Sequence, residues 1–305
     1  DCDGIIDYKG WTEVTNGSPE GVYGAAIAYD PNSGNVILFG GEYQSYHINS
    51  DQTWSWDGSQ WTQLSPSVSP PKRKFASMAY DSTLNGLVLF GGVQYDGSYH
   101  GNYLNDTWLW NGTDWEQLNP SSSPSARTVD ITENPNGGGV FLHGGQAGKD
   151  GCCIKSDSFV FANGEWTEVT ASNGPGSIQG HQMVYDSDND LIHLFNTSST
   201  MYHWDGSAWS TSNSNTFPTY SATNMVFDKQ KGTIILSSGL ENGTRTSATW
   251  AWKDGDWTEL SLSSYPPVRN TPNLVYDEQT QSVLMYAGQE GWSSGGIFHY
   301  DTWIL

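Results

Sequence analysis

Six tryptophans recur along this 305-residue chain at intervals of 43 to 54 residues: Trp11, Trp61, Trp115, Trp166, Trp209 and Trp257. A steady period in this range indicates one supersecondary unit that is repeated along the chain. Such a unit buries its apolar face only against its neighbours, so the copies stack into one body. The period therefore predicts a single domain over residues 1–305, with residues 1–10 as an N-terminal extension.

Each unit contains four short segments. The first ends in an aromatic–Asp pair such as Tyr29-Asp30, and the second is an apolar run that ends in Gly-Gly, such as NVILFGG at 35–41. The third alternates aromatic residues, as at 107–110, and an Asn-Gly or Asp-Gly turn separates it from the fourth, which the recurring Trp opens. Alternation and these turns are strand and hairpin signals. Four antiparallel strands form the blade of a β-propeller.

The two ends of the chain complement each other. The chain begins with a fourth segment at 11–14 and ends with a third segment at 301–305. Joining them completes a sixth blade and leaves no unpaired sheet edge. The sequence therefore predicts an all-β, six-bladed propeller that is closed by an N-terminal fourth strand and a C-terminal third strand.

The Gly-Gly pairs, the string Asn105-Asp106-Thr107-Trp108 and the later Trp resemble the kelch repeat. The resemblance covers roughly residues 11–305. The kelch family that it points to includes secreted kelch and galactose-oxidase-like repeat proteins. It implies the six-bladed kelch propeller. The fourth unit departs from the pattern, because its apolar run LIHLFN at 191–196 lacks the Gly-Gly pair.

The composition limits the classes of partner that this chain is expected to bind. The formal net charge is −21, from 33 Asp and Glu against 12 Lys and Arg. This argues against nucleic acid, which requires a basic surface, and against anionic membranes. No run of 18 apolar residues predicts membrane insertion. Scarce Lys and abundant Ser, Asn, Gly and Trp are typical of an extracellular protein, so we predict a secreted, monomeric glycoprotein. Its candidate N-glycosylation sites are Asn16, Asn105, Asn111, Asn196 and Asn242.

The chain has three cysteines, at Cys2, Cys152 and Cys153. In an oxidising compartment, the adjacent pair Cys152 and Cys153 predicts a vicinal disulfide. Two unrelated thiols, or a bond from Cys2 to either of them, are the alternatives.

Antiparallel alternation assigns the loops to two faces. The long-loop face carries the linkers between blades and the loops between second and third strands; the turn face carries the other turns. The turn face is heavily acidic, whereas eight of the twelve basic residues map to the long-loop face. These eight are Lys72, Arg73, Lys74, Arg127, Lys149, Lys155, Arg245 and Arg269. This dipole predicts that an anionic ligand is steered to the long-loop face.

Three arginines, Arg73, Arg127 and Arg269, come just before a first strand, which is innermost in kelch proteins. We expect them at the channel mouth together with Tyr23, His181 and Tyr220. Kelch adaptors bind acidic peptides with arginines at this location, so the resemblance implies carboxylate recognition, for which guanidinium groups are suited. The alternative is that they hydrogen-bond neighbouring loop carbonyls.

The long loops of blades six, one and two are rich in aromatic residues and histidines. Their members are Tyr43, Tyr46 and His47, then Tyr95, Tyr99 and His100, then Trp292, His299 and Tyr300. These blades are neighbours across the closure, so the loops should form one sector. Trp292 is the one tryptophan of fifteen that lies outside the repeat register. It is a candidate stacking platform for a sugar.

These features favour a secreted recognition module that binds a glycan, a peptide or a small anionic molecule on the long-loop face. No nucleophile elbow, His-Glu-x-x-His pair or phosphate-binding loop occurs in the sequence. A purely structural or adhesive protein is a further possibility, and it would lack ordered long loops.

The alternative is an enzyme on the same face, with lyase- or cyclase-type acid–base chemistry. Propeller lyases that act on uronates combine a His or Tyr base with an Arg that neutralises the carboxylate. The candidate acid–base residues here are His47, His100, His181, His299, Tyr99 and Tyr220. A metal at His47, His100 and His299 is a minor alternative, so no cofactor is expected. The three cysteines do not fit a copper-radical site that needs a Cys–Tyr crosslink.

Overall fold

The structure, a computed structural model, describes residues 8–14, 19, 22–43, 48–95, 101–148, 153–196, 198, 200–214, 216–221, 223–241, 244–291 and 297–305. For residues 220, 221 and 241 it describes the backbone alone. These parts of the chain contain strands and turns but no helix. Accordingly, they contain no helix with the length and apolarity needed to cross a membrane.

The described strands form six four-stranded antiparallel blades. The strands are given from the inner to the outer one. Blade one has Ala26–Asp30, Asn35–Phe39, Thr53–Trp56 and Trp61–Leu64, and blade two has Ser77–Asp81, Gly86–Phe90, Thr107–Trp110 and Trp115–Leu118. Blade three has Ile131–Glu133, Val140–His143, Ser158–Ala162 and Glu165–Val169. Blade four has Gln182–Asp186, Leu191–Phe195, Thr200–Trp204 and Trp209–Asn213, and blade five has Asn224–Asp228, Thr233–Glu241, Thr244–Lys253 and Asp256–Glu259. Blade six has Asn273–Asp277, Ser282–Tyr286, Thr302–Ile304 and Thr12–Val14.

The predicted closure is present in the sixth blade. The strand Thr12–Val14 pairs antiparallel with Thr302–Ile304, and Glu13 lies opposite Trp303. The inner strands of neighbouring blades contact each other all the way round, including the first and the sixth. The N-terminal extension is anchored where it is described, because the Tyr8 hydroxyl donates a hydrogen bond of 2.6 Å to Asp228 of blade five.

The aromatic–Asp motif ends the inner strand. The Asp carboxylate is buried and accepts backbone N–H groups two and three residues later, which fixes the turn to the second strand. Asp81 binds the N–H of Thr83 at 2.7 Å, and Asp186 binds that of Asp188 at 2.9 Å. Asp186, in the acidic turn 186–190, is thus used as a turn cap.

The Gly-Gly pair lies where the linker from the next blade crosses the second strand. Gly40 has φ +74°, and a Cβ there would lie 2.7 Å from the carbonyl oxygen of Arg73. The N–H of Gly41 donates to that same oxygen at 2.8 Å. The pair therefore allows a close backbone contact between blades. Blade six has Ala287 at the first position, also in the left-handed region at φ +59°.

The recurring Trp joins one blade to the preceding one. In four blades its indole N–H donates at 2.9 Å to a Thr at the equivalent position in the third strand of the neighbour. Trp115 bonds Thr53 in this way, and both are buried. For Trp257 the corresponding residue is Met201, which has no hydroxyl.

This difference gives a matched test of the hydrogen bond. We expect Trp115→Phe to lower the free energy of unfolding by about 1–2 kcal/mol more than Trp257→Phe, because only the first leaves a buried hydroxyl without its partner. Urea unfolding followed by far-UV circular dichroism measures both. Adding Thr53→Val to Trp115→Phe should recover part of the loss. Equal losses for the two single variants would show that the hydrogen bond contributes nothing.

Short hairpins rise from five blades on the long-loop face. They prolong the second and third strands beyond the Gly-Gly position, and in blades one, three and five the linker adds a further strand. The separate strands are Val22–Tyr23, Glu42–Tyr43, Ile48–Asn49, Val93–Tyr95, Gly101–Tyr103, Arg127–Thr128, Gln146–Ala147, Cys153–Ile154, Tyr220–Ser221, Gln289–Glu290 and Ile297–Phe298. The described parts of the long loops are therefore ordered β-structure around the channel mouth.

Candidate functional site

The six inner strands enclose a central channel with a cavity volume of about 870 Å³. Its wall has layers, because equivalent positions of the repeats lie at the same depth. One layer lies near the long-loop mouth. It is formed by the residue four positions before the Asp of each aromatic–Asp motif, or before Asn134 in blade three, and this residue is polar in five of the six blades. The five polar residues are Ser77, Asp130, Gln182, Asn224 and Asn273, with Ala26 as the sixth. Apolar residues follow, and tyrosines and carboxylates line the other end.

This polar ring joins neighbouring blades. The Ser77 hydroxyl donates to Asp130 at 3.1 Å, and the other oxygen of Asp130 accepts the N–H of Met183 at 2.7 Å. Asn224 donates to the carbonyl oxygen of Pro272 at 3.1 Å. Each of these bonds crosses to the next blade, at or just before its inner strand. The amide nitrogen of Asn273 has no partner within the described residues.

Asp130 is the acid of this ring, and its pKa is strongly shifted. Asp130 is half-buried in the channel wall, and desolvation there raises the pKa of its carboxyl to about 6 despite the hydrogen bonds from Met183 and Ser77 that favour the charged form. A carboxyl with this pKa changes charge just below neutral pH. Its titration should therefore be visible in the stability of the protein.

His181 lies in the channel wall, just before the inner strand of blade four. It is buried, and neither ring nitrogen has a hydrogen-bond partner in the described part of the chain. Burial and the nearby His143 lower its pKa to about 3, so the ring is neutral at physiological pH. A neutral imidazole with two unused nitrogens is suited to hydrogen-bond a polar group that enters the channel.

The opposite mouth is acidic and aromatic. Burial raises the pKa of Glu133, Lys229 opposes this shift, and Glu278 adds to it. Lys229 forms an ion pair with Glu278 of the next blade. The hydroxyl of Tyr185 donates to Asp190 at 2.7 Å. These groups are engaged with each other, so we assign this mouth no ligand.

None of the three predicted arginines is among the residues that line the channel, and their side chains are fully buried. Arg73 donates to both carboxylate oxygens of Asp106, at 2.6 and 2.7 Å, and to the carbonyl oxygens of Gly91 and Pro71. Arg269 binds Asp301, at 2.6 and 2.8 Å, and two carbonyl oxygens in the same way.

Arg127 repeats the arrangement with Asp157, at 2.5 and 2.9 Å. These contacts correspond to the alternative in which the arginines bind loop carbonyls, with an aspartate added. The guanidinium groups are therefore occupied within the chain and neutralised, which removes the physical basis for carboxylate recognition by these three residues. The expected steering of anions to the long-loop face is weakened as well, because the aspartates neutralise the charges of these three arginines.

Lys74, the residue after Arg73, is buried as well. Its ammonium group pairs with Glu42 of blade one and lies 4.6 to 5.5 Å from the ring centres of Tyr95, Phe75 and Tyr23. Tyr23 and Tyr95, two predicted ligand-binding residues, thus enclose a lysine of the same chain. Cation–π contacts of this kind stabilise a desolvated ammonium group.

The predicted aromatic sector is continuous where it is described. The ring of Phe298 in blade six lies 6.3 Å from that of Tyr23 in blade one. The N–H of Tyr95 in blade two donates at 2.7 Å to Asn49 of the blade-one hairpin. The hairpins of blades six, one and two therefore adjoin, and three of their apolar side chains are exposed: Ile297 by 56%, Ile48 by 50% and Tyr300 by 46%.

The remaining candidates are distributed as follows. Tyr43 is half-buried and bonds Ser50 at 3.0 Å. Burial and then the charge of Arg269 lower the pKa of His299. His299 lies in blade six and His181 lies in blade four, so these two acid–base candidates do not share a partner. Tyr220 contributes backbone to the strand Tyr220–Ser221.

Several predictions concern residues outside the described ranges: Tyr46, His47, Tyr99, His100, Trp292, Cys2 and Cys152. The three-histidine metal site and the vicinal disulfide therefore stay predictions. Cys153 lies exposed in the strand Cys153–Ile154. Within the ranges that are described, no group of three or more His, Cys, Asp and Glu is arranged to hold a metal ion.

Two features of this region were not predicted from the sequence: the polar ring and the Lys74–Glu42 pair. The ring had a signal, because polar residues recur at one repeat position where a buried strand should be apolar. The ion pair had none, since Glu42 and Lys74 lie in different blades and only their folding together brings them into contact.

A six-bladed propeller with Gly-Gly crossings and a linked Trp is a kelch-type domain. The family model described as the KLHDC2/KLHL20/DRC7 Kelch-repeats domain matches residues 6–193. The chain belongs to the kelch-repeat family, whose domains are generally protein-interaction modules. The solved structure of YjhT superposes on it with a TM-score of 0.69 at 16% identity, over 94% of this chain and 95% of that one. This similarity supports the fold alone. No curated protein sequence matches the chain.

Proposed function

We propose that this propeller is a secreted recognition module that binds an extended peptide segment of a partner protein on the long-loop face. The observation that carries the proposal is the adjoining set of hairpins from blades six, one and two, with Ile297, Tyr300 and Ile48 exposed on it. Exposed apolar side chains that cluster on one surface mark interaction sites.

The chemistry of the ligand follows from what this surface offers. The buried arginines are already paired with aspartates, so an acidic peptide gains little from them. Isoleucine side chains instead favour aliphatic or aromatic side chains of a peptide. The edges of the hairpins can hydrogen-bond an extended backbone, as in β-strand addition. A glycan would rely on a flat aromatic platform, for which Trp292 is the candidate.

Selection from a random-peptide display library against the purified protein tests the proposal. We expect enriched peptides with apolar anchors, and we expect the double variant Ile48→Ser, Ile297→Ser to bind them at least tenfold more weakly, because burial of each isoleucine contributes about 1.5–3 kcal/mol. Ile154→Ser is the matched control, since Ile154 is an exposed isoleucine on the hairpin of blade three.

Peptides that bind the double variant as well as the unchanged protein would contradict this location. A glycan array is run in parallel with the variant Trp292→Ala. Glycan binding that this variant abolishes, with no peptide enriched, would replace the peptide proposal by the lectin alternative.

A further inference from the structure

Blade four differs from the other five blades on the sheet face that is turned towards blade five. His193 in its second strand occupies the position held elsewhere by Ile37, Val88, Phe141, Ile235 and Leu284. Those residues are almost fully buried and apolar. The propeller therefore forms without a histidine at this position.

Two further positions on that face are also exceptional. Ser212 in the outer strand stands where the other blades have Val14, Leu64, Leu118, Val169 and Leu260. His203 in the third strand replaces Ser55, Leu109, Val160, Ala251 and Trp303. One blade thus carries His, His and Ser side by side at positions that are mainly apolar in its five copies.

The three side chains form one hydrogen-bonded chain that ends at a carboxylate. Ser212 Oγ lies 2.7 Å from Nε2 of His203, and Nδ1 of His203 lies 2.8 Å from Nδ1 of His193. Nε2 of His193 lies 3.2 Å from Oδ2 of Asp186. Asp186 is fixed in turn by the N–H groups of Asp188 and Asn189.

The Asp186 carboxylate determines which atom is the donor in each hydrogen bond of this series of side chains. Ionised Asp186 accepts only, so Nε2 of His193 donates to it, and in the tautomer protonated at Nε2 the Nδ1 of that ring is an acceptor. Nδ1 of His203 is then the donor, which leaves the lone pair of its Nε2 for the hydroxyl of Ser212. This tautomer assignment uses all four ring nitrogens. It is the arrangement that activates a serine, with a second imidazole between the base and the acid.

A cavity lies beside this chain, between blades four and five. Its volume is about 470 Å³, and Ser212, His203 and His193 line it. Phe227 and Trp252 of blade five provide apolar wall, and Lys253 provides a cation. The volume is within the range of small-molecule sites.

We propose that Ser212 is a nucleophile for acyl transfer from small carboxylic esters that enter this cavity. Ser212 Oγ attacks the carbonyl carbon, and its proton passes to Nε2 of His203. The ester C–O bond then breaks, and the leaving alcohol takes that proton from His203. Water, deprotonated by His203, releases the carboxylic acid and restores the serine. His193 and Asp186 act as positioning residues, and this activity is independent of the peptide-binding face.

The groups around His203 keep it in the form that accepts a proton. Burial and the neighbouring His193 lower the pKa of His203 to about 4, so it is neutral near pH 7 and able to accept a proton. Burial raises the pKa of Asp186, but the hydrogen bonds from His193 and Asn189 outweigh it and bring that pKa to about 2. Lys253 and Asp254 are the charged side chains that blade five contributes to the cavity wall.

Covalent labelling with an alkyl fluorophosphonate tests the serine in the full chain. The hydroxyl attacks phosphorus, fluoride leaves, and mass spectrometry locates the adduct. We expect the adduct on Ser212, and we expect Ser212→Ala to abolish it. Ser210→Ala is the matched control, because Ser210 lines the same cavity without a hydrogen bond to histidine, and labelling should be unchanged. His203→Asn should slow labelling at least a hundredfold.

His193 is tested by the pH profile. The unchanged protein should label at a constant rate from pH 6 to 8 and lose reactivity as His203 is protonated near pH 4. His193→Leu should slow labelling, and His193→Asn, whose amide oxygen can accept from His203, should restore part of it. An unlabelled Ser212, or labelling that His203→Asn leaves unchanged, would overturn the proposal. So would zinc bound stoichiometrically at the two histidines, lost in His193→Leu, with no adduct on Ser212.

Discussion

Replacing Arg73 with Val is expected to lower the free energy of unfolding by about 3 kcal/mol, at the lower end of what loss of one partner costs in a buried ion pair. The guanidinium group is completely buried, and its partner Asp106 retains 18% exposure, which moderates the loss. The variant removes the Arg73 donors from the Asp106 carboxylate and from the carbonyl oxygens of Gly91 and Pro71. Urea unfolding of the purified variant measures the loss.

The chain itself supplies the compensating substitution. Blade one has Val22 and Gln52 where blade two has Arg73 and Asp106, and Gln52 accepts the indole N–H of Trp54 at 3.0 Å as Asp106 accepts that of Trp108. The double variant Arg73→Val, Asp106→Gln should therefore recover about half of the loss, because it removes the uncompensated carboxylate and keeps the acceptor for Trp108. A double variant less stable than Arg73→Val would contradict this account.

The fold was predictable because each blade repeats the same solution. Trp spacing, the aromatic–Asp turn and the Gly-Gly crossing all recur, so a weak copy is identified by its neighbours. The last blade could be completed from Trp11 and Trp303 because closure leaves no free sheet edge. The six copies within one chain thus provide the comparison that related sequences would otherwise supply.

The same comparison between blades explains the arginines. Arg73, Arg127 and Arg269 occur only in blades where an Asp precedes the third strand: Asp106, Asp157 and Asp301. The other blades lack both members of the pair. Residues that appear and disappear together in repeats are expected to contact each other. Considered without their aspartate partners, the three arginines suggested an anionic ligand. The aspartates already neutralise them, so no ligand is needed to explain their presence.

The candidate surfaces were less predictable. Whether Tyr23 contacts solvent or Lys74 depends on side-chain packing between two linkers, for which the sequence pattern carries no period. The Ser212 chain is different, because its departure from the other blades is visible in the sequence. His193 and His203 lie within the strands Leu191–Phe195 and Thr200–Trp204, where the sequence pattern alone gives them no role beyond the fold. Only the distances show that they connect a serine to a carboxylate.

Asp130→Asn should remove a pH dependence of stability that is present in the unchanged protein. The folded pKa of Asp130 is about 6, above its ordinary value of 3.8, so the folded state holds this proton more tightly than the unfolded chain does. Its contribution to stability is therefore full well below pH 3.8 and is lost as the pH rises through 6. A shift of this size corresponds to about 3 kcal/mol. An Asn at 130 can accept from Met183 and donate to Ser77 without titrating.

The quantity to measure is the difference in the free energy of unfolding between Asp130→Asn and the unchanged protein, from urea titrations at pH 4, 5, 6 and 7.5. It should increase by about 2.5 kcal/mol in favour of the variant across this range. Glu133 and the other titrating groups are common to both proteins, so their contributions cancel in the difference. Ser77→Ala is the control: loss of the hydroxyl that favours the ionised carboxyl should raise the pKa of Asp130 further and move the transition to higher pH. A difference that stays constant with pH would show that Asp130 is ionised in the folded protein at an ordinary pKa, and that the polar ring holds its charge without cost.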